Sequence, residues 1–140
     1  MPEADYTRDA LDAANQAIGE TAPIYMINML KYRDIADYGG HSDQVPRSGR
    51  EAYFQSYVPA FNKFAADEQV SVFWVGNVRA LLVPSGGRAW DDVAIVQYAS
   101  FAALRRILEN PAYQEEAAPH RRAALENWRF IAATKADLPR

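Results

Sequence analysis

The sequence predicts a single α+β domain, and three observations support that prediction. Segments rich in β-branched and aromatic residues indicate strands. Segments with apolar residues three or four positions apart indicate helices between them. The chain of 140 residues is long enough to bury one core of this kind. The predicted order is an N-terminal helix, then strand, helix, two strands, helix and strand.

The composition excludes several classes of protein. Hydrophobic residues make up 49% of the chain and charged residues 24%, which argues against disorder. No apolar run reaches the roughly 18 residues of a transmembrane helix. The polar N-terminus lacks the layout of a signal peptide. Without cysteine there is no disulfide and no thiol nucleophile. We therefore expect a cytoplasmic protein that does not bind membranes.

The charge balance argues against a nucleic-acid partner. The formal net charge is −3, whereas proteins that bind nucleic acid usually present a concentrated basic face. The pairs Arg105-Arg106 and Arg121-Arg122 are too sparse to form a groove that follows phosphates.

The N-terminal part predicts a helix, a strand and a long loop. Residues 7–18 form a thin amphipathic pattern with Gly19 as its stop, which indicates an accessory helix against the main domain or a partner subunit. Residues 24–33 predict a strand with two apolar faces, so both faces should be covered. Residues 34–49 predict a loop of the length that lids and binding loops have, and it carries His41.

The middle of the chain predicts one long helix. Its range is residues 50–67, and Pro59 should bend it because proline removes a backbone donor. One apolar stripe runs along it, at spacings of four, four and three: Tyr53, Tyr57, Phe61 and Phe64.

A hairpin, two helical segments and a last strand complete the pattern. The expected ranges are 70–83 and 92–99 for the hairpin, with a tight turn at 84–88, then a helix at 101–109 after the N-cap Ser100, helical structure at 113–125 interrupted at Pro119, and a strand at 128–134. This order is the ferredoxin-like βαββαβ arrangement with a four-stranded antiparallel sheet.

Helices cover only one face of such a sheet, so the two apolar faces of the first strand predict a homodimer that pairs the sheets. The N-terminal helix is also compatible with a tetramer.

Several groups of residues have the order and spacing of one known family: Asn28-Met29-Leu30-Lys31-Tyr32, Gly49-Arg50-x-x-Tyr53 with Tyr57, and Asn110-Pro111-x-Tyr113-Gln114 before His120-Arg121-x-Ala123-Ala124-Leu125. They resemble the domain-of-unknown-function family numbered 1330, which belongs to the dimeric α+β barrel superfamily. The resemblance spans about residues 24–134. It implies a barrel dimer with a pocket between sheet and helices, but no reaction. The superfamily includes cofactor-free monooxygenases, isomerases and haem-binding enzymes, so the fold does not fix the function.

The polar residues of the pattern supply candidates for a binding site. Asn28 lies within an apolar strand, so it either braces backbone or presents its amide to a ligand. Tyr53 and Tyr57 lie one above the other on a helix, either as core aromatics or, with Tyr32, as three phenols around a planar ligand. Trp74 should share a face with Val72 and Gly76, and Gly76 leaves room there for a close approach.

His120 and Arg121 are the candidate catalytic pair. His120 could move a proton near neutral pH, and Arg121 with Asn28 could hold a developing oxyanion. The alternative is a surface segment with ordinary charges. His41 could reach a cavity from its loop or remain exposed to solvent. With two histidines and no ligand spacing in the sequence, we expect neither a metal site nor a cofactor.

Two functions remain open at this point. The first is a small-molecule protein, with cofactor-free chemistry on an aromatic or enolisable substrate if it is an enzyme. The second is a non-catalytic binding or assembly module whose aromatic residues form core and interface. An aromatic-lined cavity with His120 at its wall would favour the first, and a filled core would favour the second.

Overall fold

A computed structural model describes residues 5–40, 45–83 and 89–139. His41 and the predicted turn at 84–88 lie outside these ranges. The strands are β1 Ile24–Tyr32, β2 Ser71–Asn77, β3 Asp92–Tyr98 and β4 Leu125–Ala133. The helices are α1 Arg8–Ile18, α2 Gly49–Ala52, α3 Val58–Ala65, α4 Phe101–Leu108, α5 Pro111–Glu116 and α6 Ala118–Ala124, with a π-helical turn at Tyr53–Tyr57 between α2 and α3.

The strands form one antiparallel sheet in the order β2-β3-β1-β4. The predicted α+β class and the four-stranded antiparallel sheet are therefore confirmed. Along β1 the side chains alternate strictly between buried and half-buried. We call the buried side the covered face; on β1 it carries Ile24, Met26, Asn28, Leu30 and Tyr32. The opposite side is the open face; on β1 it carries Tyr25, Ile27, Met29 and Lys31.

Side chains of the helices pack with the covered face to form the core. From α4, Phe101, Leu104 and Leu108 are buried in the main cluster, as the sequence predicts. The hydroxyl of Ser100 accepts a hydrogen bond from the Ala103 amide and caps this helix. In α1, Leu11 joins the same cluster.

The predicted long helix is interrupted by its π-helical turn. The amide of Val58 donates to the carbonyl of Tyr53, five residues earlier, directly before Pro59. Proline has no amide hydrogen to continue the α-helical ladder, and a π turn is one way to take up the mismatch. The turn Tyr53–Tyr57 carries two of the candidate site residues.

The predicted hairpin strand at 70–83 is too long, because β2 ends at Asn77. The next amide, Val78, donates to the Asp91 carbonyl, and the Asp91 amide donates to the Leu30 carbonyl, where the pairing of β2 with β3 stops. Leu82 and Val83 are exposed, and no strand within the described ranges pairs with them despite their β propensity. The last strand differs in the other direction: β4 follows α6 without a loop and begins at Leu125, three residues before the predicted start.

A bulge in β2 changes the face of one candidate residue. The register with β3 shifts between Val72 and Trp74, so Val72 pairs with Val96 and Trp74 pairs with Ile95. An extra residue of this kind reverses the alternation that follows it. The predicted face is therefore wrong: Val72 belongs to the covered face, whereas Trp74 belongs to the open face.

Gly49 is required where the long loop returns to the domain. A Cβ atom there would lie 2.4 Å from the carbonyl oxygens of both Ala124 and Arg33, a distance no side chain tolerates. The Gly49 amide donates to the Arg33 carbonyl, and the Arg33 amide donates to the Ala124 carbonyl. The start of α2 is thereby held against the end of β1 and the end of α6. Within the described ranges, no helix combines the length and the hydropathy needed to cross a bilayer.

Candidate functional site

A cavity of about 190 Å³ lies between the π-helical turn with α3 and the covered face of the sheet. Its lining is mostly apolar and aromatic. The residues that matter for its chemistry are Asn28, Tyr53, Tyr57, Tyr98, Trp128 and Phe130. The structure thus brings three of the predicted binding residues, Asn28, Tyr53 and Tyr57, to one cavity.

Asn28 braces the sheet from beneath this cavity. Its amide nitrogen donates to the carbonyls of Met26 and Ala94, at 3.3 and 3.2 Å. Its oxygen accepts a bond of 3.0 Å from the Trp128 indole nitrogen. Both amide hydrogens are therefore used within the protein, and only a second lone pair on the oxygen remains for a ligand. The side chain positions Trp128 more than it presents an amide.

Besides Asn28 and the exposed Asn62, two phenol hydroxyls supply polar groups to the cavity. Tyr53 and Tyr98 both line it, and neither hydroxyl bonds to another described residue. Burial is the main reason that the pKa of each phenol is raised above its usual value. Both groups therefore stay protonated at neutral pH, and each can donate a hydrogen bond to a ligand oxygen.

The hydroxyl of Tyr57 is engaged in the core. It lies 2.8 Å from the hydroxyl of Tyr113, and both residues are buried. The Tyr57 ring is tilted 38° against the Tyr53 ring at 5.1 Å between centroids. Tyr57 thus contributes ring surface to the cavity, while its polar end ties the π-helical turn to α5.

Tyr32 belongs to a different cluster, centred on the buried carboxylate of Asp92. The Asp92 side chain is 1% exposed and accepts hydrogen bonds from Tyr32 at 2.6 Å, Asn77 at 2.7 Å and Arg50 at 2.5 Å. Burial and the bond to this carboxylate raise the pKa of Tyr32 well above its usual value. The predicted ring of three phenols is therefore wrong for Tyr32, which fixes the ends of β1 and β3 instead.

Trp74 is also absent from the cavity, because it lies on the open face. Its ring folds over Gly76: a Cβ atom there would come within 2.1 Å of the indole. The close approach predicted at this glycine is thus made by Trp74 itself. The tryptophan at the cavity is Trp128, which the sequence analysis did not single out. Its position depends on the pairing of β4 with β1, which sets Trp128 opposite Leu30 on the covered face and which no sequence pattern indicated.

His120 lies outside the cavity lining, in a row of side chains linked by hydrogen bonds. Its Nδ1 is 2.6 Å from the Tyr38 hydroxyl, and Arg47 donates to the same hydroxyl at 3.2 Å and to Ser56 at 2.5 Å. The Tyr38 hydroxyl thus accepts from Arg47 and also bonds to Nδ1, where the imidazole tautomer decides which atom is the donor. Burial, followed by the charge of Arg47, lowers the pKa of His120. The histidine therefore favours its neutral form and is bonded to the loop residue Tyr38, which Arg47 in turn contacts. The sequence did not indicate either loop residue.

Arg121 is buried on another side of α6 from His120. Its side chain is 1% exposed, and its guanidinium lies over the rings of Trp128 and Tyr6, at 4.6 and 5.4 Å from their centroids. Its counter-charge is Asp5, whose Oδ1 is 3.3 Å from Nη2 and 3.5 Å from Nη1. Successive residues of a helix point about 100° apart, so the predicted catalytic pair does not converge on one atom.

The described part of the chain contains no group of three or more His, Asp or Glu side chains placed to hold a metal ion. Asp92, Tyr32 and Tyr57 of the covered side are committed to hydrogen bonds within the protein, whereas the phenols of Tyr53 and Tyr98 face the cavity. The cavity itself therefore offers neutral donors and aromatic surface.

Comparison with known proteins gives the fold a precedent. No family model and no curated protein matches the chain. The crystal structure of the methylated RPA0582 protein has a TM-score of 0.82 at 29% sequence identity, over 97% of this chain and 96% of that one. The crystal structure of RPA0582 from Rhodopseudomonas palustris, a structural genomics target of unknown function, has a TM-score of 0.80 at 28% identity, over 99% and 100%. The similarity extends over both chains and assigns no activity.

Proposed function

We propose that the protein binds a small aromatic molecule that carries an oxygen acceptor, in the cavity beneath the π-helical turn. The observation that supports this is the cavity of about 190 Å³ with aromatic walls and two phenol donors, Tyr53 and Tyr98. Engineered apolar cavities of about 150 Å³ bind benzene, so this volume suits a single ring with a short substituent. The neutral phenols favour a carbonyl or similar oxygen on that substituent.

Acetophenone is the probe that matches these features, since it has one ring, a carbonyl acceptor and enolisable hydrogens. We expect saturable binding in isothermal titration calorimetry. Tyr53→Phe should lower the affinity for acetophenone by about tenfold, because a buried hydrogen bond is lost. The same variant should leave the affinity for ethylbenzene nearly unchanged, because ethylbenzene has no hydrogen-bond acceptor.

Filling the cavity provides the matched control. Ala65 lines the cavity and is buried, whereas Ala66 is the next residue and is exposed. Ala65→Leu should remove most of the acetophenone affinity, and Ala66→Leu should keep it. Equal affinities for the two variants, or no saturable binding to the wild type, would contradict the proposal.

We further propose that two copies pair through their open faces, in the dimeric α+β barrel that the ferredoxin-like order and the family resemblance imply. The open face carries apolar side chains on all four strands, beside a few polar ones such as Lys31, Gln97 and Arg129. Phe73 is 62% exposed, Trp74 54% and Ile131 45%. Apolar surface of this extent on one sheet face is typical of an interface.

Size-exclusion chromatography with light scattering tests the pairing. The wild type should elute as a dimer at micromolar concentration, and Trp74→Glu should shift it towards monomer because a charge cannot be buried unpaired. Leu138→Glu introduces the same charge on the exposed C-terminal segment and should leave the dimer intact. A wild-type monomer would contradict the pairing. The tetramer and the cytoplasmic location stay predictions from the sequence.

The cofactor-free reaction assigned to His120 and Arg121 also stays a prediction. Neither residue lines the cavity. The non-catalytic alternative is favoured by the partner of His120, since Tyr38, itself bonded by Arg47, holds the histidine within the fold. If a turnover is found, His120→Ala and Arg121→Ala decide its assignment: unchanged turnover in both would remove them from the chemistry.

A further inference from the structure

Arg121 is the most unusual charge in the described part of the chain. It is the largest fully buried side chain, yet its counter-ion Asp5 is 41% exposed. Its Nε atom is buried and has no hydrogen-bond partner among the described residues. A buried guanidinium that is incompletely paired is costly, so a better partner would stabilise the protein.

The pairing with Asp5 is geometrically poor. Both Nη atoms of Arg121 reach the same oxygen, Oδ1, at 3.3 and 3.5 Å. That oxygen also accepts the Tyr6 amide at 3.0 Å, and Oδ2 is taken by Arg122 at 2.9 Å. A carboxylate that pairs both oxygens with one guanidinium makes parallel bonds of about 2.8 Å. Asp5 cannot do this because its backbone and Arg122 hold it elsewhere.

Tyr6 brings an aromatic ring to the same place. Its ring meets Trp128 edge-on at 6.2 Å and Phe130 at 6.4 Å between centroids. Its hydroxyl accepts a 2.9 Å bond from Gln114, whose amide oxygen accepts from Arg122. One carboxylate and one ring, on adjacent residues ahead of α1, therefore occupy a site built by β4, α5 and α6.

We propose that this is a binding site for an aromatic carboxylate, and that Asp5 and Tyr6 occupy it as an intramolecular substitute. A ligand of this class places its carboxylate on Arg121 and Arg122 and its ring against Trp128 and Phe130. It displaces Asp5 and Tyr6, which precede the first turn of α1 and have no strand pairing to hold them. The site does not require the cavity to bind acetophenone, although Trp128 and Phe130 border both.

The test measures benzoate and its neutral isostere benzamide by isothermal titration calorimetry at low salt. Asp5→Asn/Tyr6→Ala removes the competing carboxylate and ring. Benzoate affinity should rise by at least about tenfold over the wild type, since a charge-assisted pair is gained without displacing another. Benzamide affinity should not rise. Asp9→Asn, the same charge change in the first turn of α1, should leave both affinities at the wild-type level.

If Asp5→Asn/Tyr6→Ala has a lower Tm than the wild type, thermal unfolding provides a second measurement of ligand binding. Benzoate should then raise its Tm towards that of the wild type, and benzamide should not. Arg121→Gln in the same background should abolish the benzoate effect. An equal gain in affinity for benzamide would show that the double variant only exposes apolar surface. No gain in affinity for benzoate would show that Asp5 does not occupy a carboxylate site. Either result overturns the proposal.

Acetophenone, measured on the same variants, separates this site from the cavity. Benzoate affinity that is unchanged by saturating acetophenone assigns benzoate to Arg121. Benzoate binding that acetophenone competes away and that survives Arg121→Gln would place benzoate in the cavity and overturn the assignment. Failure of acetophenone to bind at all contradicts the cavity proposal alone.

Discussion

The two faces of the sheet carry similar apolar residues in the sequence but differ in their polar groups. The covered face includes Asn28 and Asp92, each buried and each bound by three hydrogen bonds. The open face exposes Phe73 and Trp74 and carries the charged side chains Lys31 on β1 and Arg129 on β4. Polar side chains beneath helices must be satisfied by the chain itself, whereas an apolar face can be completed by a second chain. The covered face should therefore govern unfolding, and the open face should govern association.

The largest effect is expected at Asp92. Asp92→Ala should lower the free energy of unfolding by about 3 kcal/mol, because Tyr32 and Asn77 lose a charged acceptor inside the fold. Urea unfolding at fixed protein concentration measures this change. Asp67→Ala, the same substitution at an exposed position, should stay within about 0.5 kcal/mol. A small effect at Asp92 would remove the distinction between the faces.

Acid should act through the same carboxylate. Burial by itself would raise the pKa of Asp92, but bonds from Tyr32 and Asn77 and the charge of Arg50 outweigh burial and lower it. A carboxylate of this kind stabilises the fold above its unfolded pKa of about 3.9 and loses that contribution as the pH falls through the lower folded value. The stability difference between the wild type and Asp92→Asn should therefore shrink below about pH 4. A difference that is constant with pH would exclude this charge effect.

A smaller effect is expected at Asn28. Asn28→Ala should cost about 2 kcal/mol, because it leaves the Trp128 indole nitrogen buried without its acceptor. In a Trp128→Phe background the same substitution should cost about 1 kcal/mol less, since no indole remains to be left unpaired. Unfolding of the four proteins in this double-mutant cycle measures the coupling. Additive costs would mean that Asn28 does not position Trp128.

Tyr57 and Tyr53 distinguish structural from ligand-binding hydroxyls on the covered side. Tyr57→Phe should cost about 1 kcal/mol in unfolding, because the Tyr113 hydroxyl loses its partner. Tyr53→Phe should leave stability nearly unchanged, since its hydroxyl has no bond within the described ranges to lose. Equal costs in thermal unfolding would contradict the separate roles of the two phenols.

The smallest effect concerns His120, which lies outside both faces. Its pKa is lower in the folded chain than the unfolded value of about 6.5, so the unfolded chain takes up the proton first as the pH falls. The wild type should therefore lose more stability than His120→Gln between pH 7.5 and 5.5. Parallel pH profiles of Tm for the two proteins would show that burial and Arg47 do not act on this histidine.

The sequence by itself determined the α+β class, the order of the elements and most of their ends. These depend on local chemistry: apolar spacing, the cap Ser100 and the stop at Gly19. It also placed Asn28, Tyr53 and Tyr57 on inward surfaces, because alternation along a strand and spacing along a helix decide which face a side chain lies on.

Only the tertiary structure decided which of these residues share a site. One extra residue in β2 moved Trp74 to the open face, since a bulge reverses the alternation that follows it. The hydrogen bonds of Asn28 depend on Ala94 and Trp128, which are far away in sequence. His120 and Arg121 separated because adjacent helical residues diverge, and their partners come from the loop after β1 and from the chain ahead of α1. The periodicity of the sequence predicts which face of a strand or helix a side chain lies on, but its contacts depend on segments that only the folded chain brings together.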